Sequence, residues 1–391
     1  MSPDAVLAVR RLSVVPEGDE FVVGDPDLGV FVVLPAVAVR IVELLRSGMT
    51  VAAVSAELDG EVDVADFAAS LVELGFASED AELAAAQEAA RPSPLRHWFS
   101  PVAWTFYAAC ALGAIVCFAV RPGLFPRASD IFFLDTPVRS LAALTAITYV
   151  MAAAHEVCHW LAARAVGVRS RITVSRRLYF LVLEIDLTGL WSLPRRRRYS
   201  ALLAGMAFDC VVLFPLLLAQ LVFGTSQPLA ALTFVEFAAL MSQVWIFART
   251  DVYALFVTAT GCVNLFRVNQ LMVRRAVRRL TAEQERELAE SHERDVSVAR
   301  WYRWIYLGGL AAAAWFFVAY FAPASIRLLG WLGGSVAHSG PTSEHFWEAL
   351  VFGVLIFSPR VLTLGVAARD LHRWRSARAA TSRGAPQPIP R

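Results

Sequence analysis

Lysine is absent from this chain of 391 residues; all 36 basic residues are arginine. With Ala and Val so abundant, that reads as coding bias and carries no functional meaning. Charge of both signs is scarce, at 18% of residues against the roughly 25% usual for soluble domains. Hydrophobic residues make up 57%, which excludes disorder and argues for a membrane protein. A net charge of +2 excludes a strongly basic nucleic-acid binder. The five cysteines, Cys110, Cys117, Cys158, Cys210 and Cys262, each sit in an apolar segment and form no CxxC pair. A disulfide framework and a cysteine-rich zinc ribbon are therefore excluded. The opening Met1–Glu20 mixes Asp, Arg and Glu with short apolar runs, so no signal peptide is expected.

The charge that is present is unevenly placed. Residues 1–78 read as a small soluble α+β domain. Ala5–Val15, Phe21–Val23 and Gly29–Leu34 are broken by Pro16-Glu17-Gly18-Asp19 and Gly24-Asp25-Pro26-Asp27, the pattern of short antiparallel strands. Three helices follow, on Val37/Ile41/Leu44/Leu45, Val51/Val54/Leu58 and Phe67/Leu71/Leu74, with Thr50 and Asp63 as N-caps and Gly75 as a stop. Residues 79–100 form a linker. Beyond it lie long apolar runs at 101–120, 140–154, 200–223, 228–248, 304–326 and 346–368, interrupted only by Asp209, Glu236, Glu348 and Arg360. Six spans of a polytopic, mainly α-helical membrane bundle are expected, with 252–266 as a seventh or an interfacial helix. The divisions that follow are a membrane core at 101–268, a charged helix at 269–303, C-terminal membrane helices at 304–368 and a basic tail at 369–391. Arginines gather in 164–198 (nine), 267–303 (nine) and after 368 (six), against three in 121–139 and one in 324–345. That asymmetry puts both termini in the cytoplasm.

The sharpest signal is His155-Glu156-Val157-Cys158-His159. Two histidines four residues apart share one helix face, so both imidazoles can reach one tetrahedral metal. The adjacent Glu156 can then take a proton from metal-activated water. By chance the pattern is expected in under about one chain in a hundred of this composition. It also lies at the end of an apolar run, where ionisable residues are costly and read first as functional. Polar residues at a helix end near lipid headgroups are the bland alternative.

Catalytic zinc needs a third protein ligand. His97, His292, His338, His345 and His372 fall in soluble segments, linkers or the opposite face, which leaves the intramembrane acids Asp209, Glu236 and Asp251. Asp251 lies at a compatible depth near the cytoplasmic end of its run. Asp209, about 13 Å inward from Ser200 at helical rise, is also within range. Glu236 falls nearer the outer face.

Two resemblances rest on these residues. From Ala38–Gly48 through Val62-Asp63-Val64-Ala65-Asp66-Phe67 to Leu74-Gly75-Phe76, the first domain resembles the PqqD-like peptide-recognition domains. That implies capture of a leader peptide as an added strand; a winged-helix-like module with another partner is the alternative. The stretch from His155 to about Phe266 resembles the site-2 protease family of membrane zinc metalloproteases. The branch is that of bacterial peptide zinc metalloproteases bearing a PqqD-like domain. The matching residues are His155–His159 with Ala162-Ala163-Arg164, Val166-Gly167-Val168, Asp186, Leu193-Pro194-Arg195, Ala204-Gly205 with Asp209, and Asp251-Val252-Tyr253 followed by Asn264-Leu265. The family places the third ligand on an LDG motif, and Asp251 is the matching position. The chain departs from the pattern twice: Cys158 stands where the family usually has a small Gly, and Val252 follows Asp251 in place of Gly.

The resemblance implies a zinc metalloendopeptidase of the bacterial cell membrane. Zn2+ would be held by His155, His159 and Asp251, Glu156 would be the base, and Asp209 would support the site or ligate in its own right. Its partners would be the lipid bilayer and a peptide or membrane-anchored substrate, with a role in peptide maturation. Two other readings belong to different classes: a non-catalytic pseudoprotease that binds a peptide or a modifying enzyme, and a transporter, for which the sequence offers no repeat or broken-helix pair.

Overall fold

The computed structural model describes residues 4–58, 62–78, 94–177 and 180–354, with isolated positions between 357 and 369. Most of the expected linker and nearly all of the basic tail lie outside the described residues.

The N-terminal strands form an antiparallel meander of β2 (Ser13–Glu17), β3 (Glu20–Asp25) and β4 (Val30–Leu34). The first expected strand is divided: its early part, β1 (Ala8–Val9), leaves the meander and pairs with β5 (Ala77–Ser78). Helices α1 (Ala36–Arg46), α2 (Val51–Glu57) and α3 (Val64–Glu73) cover the sheet, and Ile41, Leu45, Val54, Ala68, Leu71 and Phe76 are almost wholly buried between them. Thr50 accepts from the Ala53 N–H at 3.2 Å and Asp63 from the Asp66 N–H at 3.0 Å, capping α2 and α3 as side-chain oxygens do. Gly75 takes φ +75°, a left-handed turn that lets Phe76 fold back under α3.

Beyond residue 94 the chain is almost entirely helical: α4 (Pro101–Val120), α5 (Pro137–Ala165), α6 (Arg195–Phe223), α7 (Gln227–Gln243), α8 (Asp251–Thr260), α9 (Leu265–Val277), α10 (Ala282–Ala289), α11 (Glu293–Phe316) and α12 (Ala322–His338). Among the described residues α4, α5 and α6 are long and apolar enough to cross a bilayer. α4 buries Cys110, Ala114, Cys117 and Phe118 against α6 and exposes Val102, Leu112, Ile115 and Val120. An outward apolar face of that extent suits lipid, not water. One buried polar pair inside the bundle is satisfied locally, where Gln220 of α6 donates to Thr233 of α7 at 2.7 Å.

Three segments differ from expectation. The arginine-rich stretch after α5 contains a hairpin of β6 (Arg171–Arg177) and β7 (Phe180–Asp186). The single charged helix expected over 269–303 is broken into α9, α10 and the start of α11, because Thr281 and His292 cap new helices. The expected break after 326 is absent; α12 continues to His338, since a lone Arg327 is no helix breaker. The irregularity instead falls at 317–321, a π-helical turn. Pro323 lacks an N–H and crowds the carbonyl four residues back, which widens that turn.

The N-terminal domain docks on the arginine-rich side of the bundle. Glu17 of β2, 9% exposed, pairs with Arg195 and with Arg198 (3.1 Å) of α6. His292 meets Glu20 at 2.7 Å and Arg169 lies 3.8 Å from Asp27. β2 and β3 pack on the 3₁₀ turn Thr188–Ser192.

Candidate metal centre

His155 and His159 lie on α5, one turn apart, about 15 Å and about 9 Å of helical rise from its C-terminal end. Asp251 opens α8, where its backbone N–H donates to Gln243 Oε1 at 3.1 Å and Thr250 Oγ1 donates to the Gln243 carbonyl at 2.6 Å. These bonds fix the start of α8 so that Asp251 Oδ2 stands 2.9 Å from His155 Nε2 and 3.1 Å from His159 Nε2. The two Nε2 atoms are 3.2 Å apart. A tetrahedral ion with ligands near 2.0–2.1 Å sets its ligand atoms about 3.3 Å apart, close to this triangle.

The far side of each ring is held as well. His155 Nδ1 faces both oxygens of Asp209 at 2.9 and 3.0 Å, and His159 Nδ1 lies 2.7 Å from the Ala201 carbonyl. Each Nδ1 must carry a proton to meet such acceptors, which leaves the lone pair of each neutral ring on Nε2. Two lone pairs and a carboxylate oxygen thus converge within 3.2 Å. Mutual repulsion would separate them unless a cation sat between them. Gly205 of α6 closes the site beneath: a Cβ there would overlap Nε2 of both histidines. The donor set, the ring tautomers and this cradle fit a metal ion. Among the described residues no other group of three His, Cys, Asp or Glu side chains clusters in this way.

Glu156 points from the same helix toward the hairpin, where its Oε2 accepts from the Ile185 N–H at 3.0 Å. The contact leaves the carboxylate half-buried beside the cluster. Asp209 meets His155 and does not join the triangle. Glu236 is buried on α7 with Oε2 unpartnered, apart from the cluster. Cys158 packs against the apolar cluster that includes Ala162, Leu190 and Ala201. Val252 occupies the first turn of α8 in ordinary helical backbone, a conformation that needs no glycine. His97 and His345 are exposed, His292 caps α11, and His338 bonds its own helix.

Sequence reasoning did not anticipate the Ala201 carbonyl, Gln243, the Ile185 N–H or the cradle role of Gly205. Only Gly205 left a usable trace, since it stands one helical turn from Asp209 on the same face of α6.

No protein-family model, curated protein or solved structure matches this chain.

Proposed function

We propose that the chain is a membrane-embedded zinc metalloprotease, of the kind its HExxH segment and its Asp251 region resemble. The observation that carries the reading is the triangle of His155, His159 and Asp251 with Glu156 beside it. Two imidazoles and a carboxylate in tetrahedral spacing are a ligand set suited to zinc. The cell-membrane location, the six spans and the cytoplasmic termini belong to the same proposal. Three apolar helices and the arginine-rich docking side support it.

When bound, zinc supplies Lewis acidity, making water a better nucleophile and polarising the scissile carbonyl. His155, His159 and Asp251 hold the ion; Asp209 and the Ala201 carbonyl keep both rings turned the right way. Glu156, fixed by the Ile185 N–H, accepts the proton of the attacking water and passes it to the departing nitrogen. The peptide C–N bond breaks, and the water oxygen bonds to the carbonyl carbon. Lipid-embedded helices hide their backbone in internal hydrogen bonds, so the substrate must be extended or locally unwound.

The test compares wild type with Glu156→Ala in lipid nanodiscs, measuring metal content and peptide cleavage. About one zinc per chain in both proteins, with cleavage only by wild type, is expected. Metal-free wild-type protein, or cleavage unaffected by the substitution, overturns the reading. Zinc without cleavage in either protein points to a pseudoprotease.

A further inference from the structure

A cavity of about 330 Å³ opens between the Thr188–Ser192 turn, α6, α8 and the start of α9. Two guanidinium groups, Arg198 and Arg249, face it, and none of its lining residues is acidic. Arg198 is only 2% exposed. Its Nε donates to the Leu193 carbonyl at 2.8 Å, its Nη2 to Glu17 at 3.1 Å, and the group lies 4.5 Å from the Trp191 ring centre. Nη1 is buried and has no acceptor. A buried charged donor in that state is costly, and an anion entering the cavity would relieve it.

Arg249 marks the same place independently. It is the only non-glycine among the described residues with positive φ, at 58°, and its guanidinium lies over Phe266 at 5.0 Å. Left-handed backbone in an arginine is a strain that tends to collect at functional sites. Of the neighbouring acids, Glu17 is bonded to Arg198 Nη2 and leaves Nη1 free, and Asp295 is committed to the N–H groups of Val263 and Asn264 at 3.1 Å each. Glu17 already shows which acceptor suits the Arg198 fork: a carboxylate. The cavity is also close to the metal centre along both walls. Arg198 is one turn from Ala201, whose carbonyl holds His159, and the lining residues Tyr253 and Ala254 directly follow the Asp251 turn.

We propose that this cavity is a subsite for a carboxylate of the peptide substrate, bound by Arg198 Nη1 and Arg249. The assignment rests on reading the neighbouring metal centre as peptide-hydrolysing. Its test uses the full chain carrying Glu156→Ala, in nanodiscs of neutral phosphatidylcholine, so that binding is read without turnover. The probe is a fluorescently labelled tetra-alanine peptide with a free C-terminal carboxylate, compared with its C-terminal amide by anisotropy. The carboxylate form should bind about tenfold more tightly, as expected for charge-assisted hydrogen bonds. Adding Arg249→Asn should erase that preference while zinc content and Tm stay unchanged. Asn tolerates left-handed backbone, and the arginine it replaces is exposed, so the variant should fold. Equal affinity for the two peptides, or a preference that survives Arg249→Asn, overturns the proposal. Arg249-dependent displacement of the probe by phosphatidylglycerol in the nanodisc would give the site to a lipid phosphate and overturns it as well. No cleavage by wild type, beside an intact Arg249-dependent preference, would overturn the protease reading and support the carboxylate site.

Discussion

At the scale of single residues, the metal centre depends on groups that never touch a metal. Gly205 is the clearest case. Gly205→Ala would drive a methyl group into both Nε2 atoms, and the α5–α6 packing leaves the rings little room to retreat. The variant is expected to fold and insert, yet to release zinc to a chelator that wild type resists. Asp209→Asn keeps an acceptor for the His155 Nδ1 proton but loses the charge that strengthens the bond. Such outer partners typically influence metal affinity 10- to 100-fold, and a loss in that range is expected by chelator competition. Asp251→Ala should cost more, because it removes a proposed ligand; full zinc retention would show the assignment to be wrong. His155, Glu156 and His159 could be read from the sequence because helical spacing alone sets them on one side of α5. Asp251 could not be read that way. It lies 92 residues beyond His159, and only depth and a family pattern distinguished it from Asp209 and Glu236.

At the scale of elements, the capped helices of the N-terminal domain were legible, whereas the caps at Thr281 and His292 were lost in a charge-rich stretch. Strand pairings made with distant partners were not legible either. Thr50 and Asp63 announce α2 and α3 within one turn. The β6–β7 hairpin escaped because its arginines dominated the reading of a segment whose pairing partner is itself. The splitting of β1 from the first expected strand escaped because its partner, β5, lies almost 70 residues away. Two contacts between elements can be tested. Arg267 of α9 donates to both oxygens of Glu287 in α10, at 2.6 Å each. That hydrogen bonding holds the Glu287 carboxyl below its ordinary value against the opposing effect of burial, with a further contribution from the arginine's charge. A lowered folded pKa means the pair stabilises above the unfolded value, about 4.3. The contribution is lost as pH falls through the folded value. Both side chains are about a third exposed, so only a few tenths of a kcal/mol is expected. Melting curves of wild type and Glu287→Gln should differ slightly at pH 7 and converge in acid. The contact made by Glu17 is different in kind. Its side chain is 5% exposed and that of Arg198 is 2% exposed, so Glu17→Ala leaves a buried cation short of its partner. Breaking a pair of that sort costs about 3 kcal/mol. Amide exchange across β2 and β3, where the domain meets the bundle, should accelerate in the variant; unchanged protection there would show that the docking rests on other contacts.

At the scale of the whole molecule, the low charged fraction has a geometric meaning. Arg195 and Arg198 of α6 and Arg169 before the hairpin meet the docked N-terminal domain, whereas the opposite ends of α4 and α5 carry few charges. Positive charge is retained on the cytoplasmic side during insertion, so on the proposed topology the docked domain would lie in the cytoplasm. The metal centre also lies nearer the docked domain than the far surface, since His155 stands ten residues from the C-terminal end of α5. The cysteines make the orientation measurable. None of the five is exposed, so a single introduced thiol dominates labelling by a membrane-impermeant maleimide. Ser129 lies exposed between α4 and α5, and Ala282 lies exposed at the start of α10. In intact cells Ser129→Cys should label at once, and Ala282→Cys only after permeabilisation. The opposite pattern would put the arginines, the docked domain and the mouth of the metal centre outside. A substrate made in the cytoplasm could not then meet the centre without first crossing the membrane.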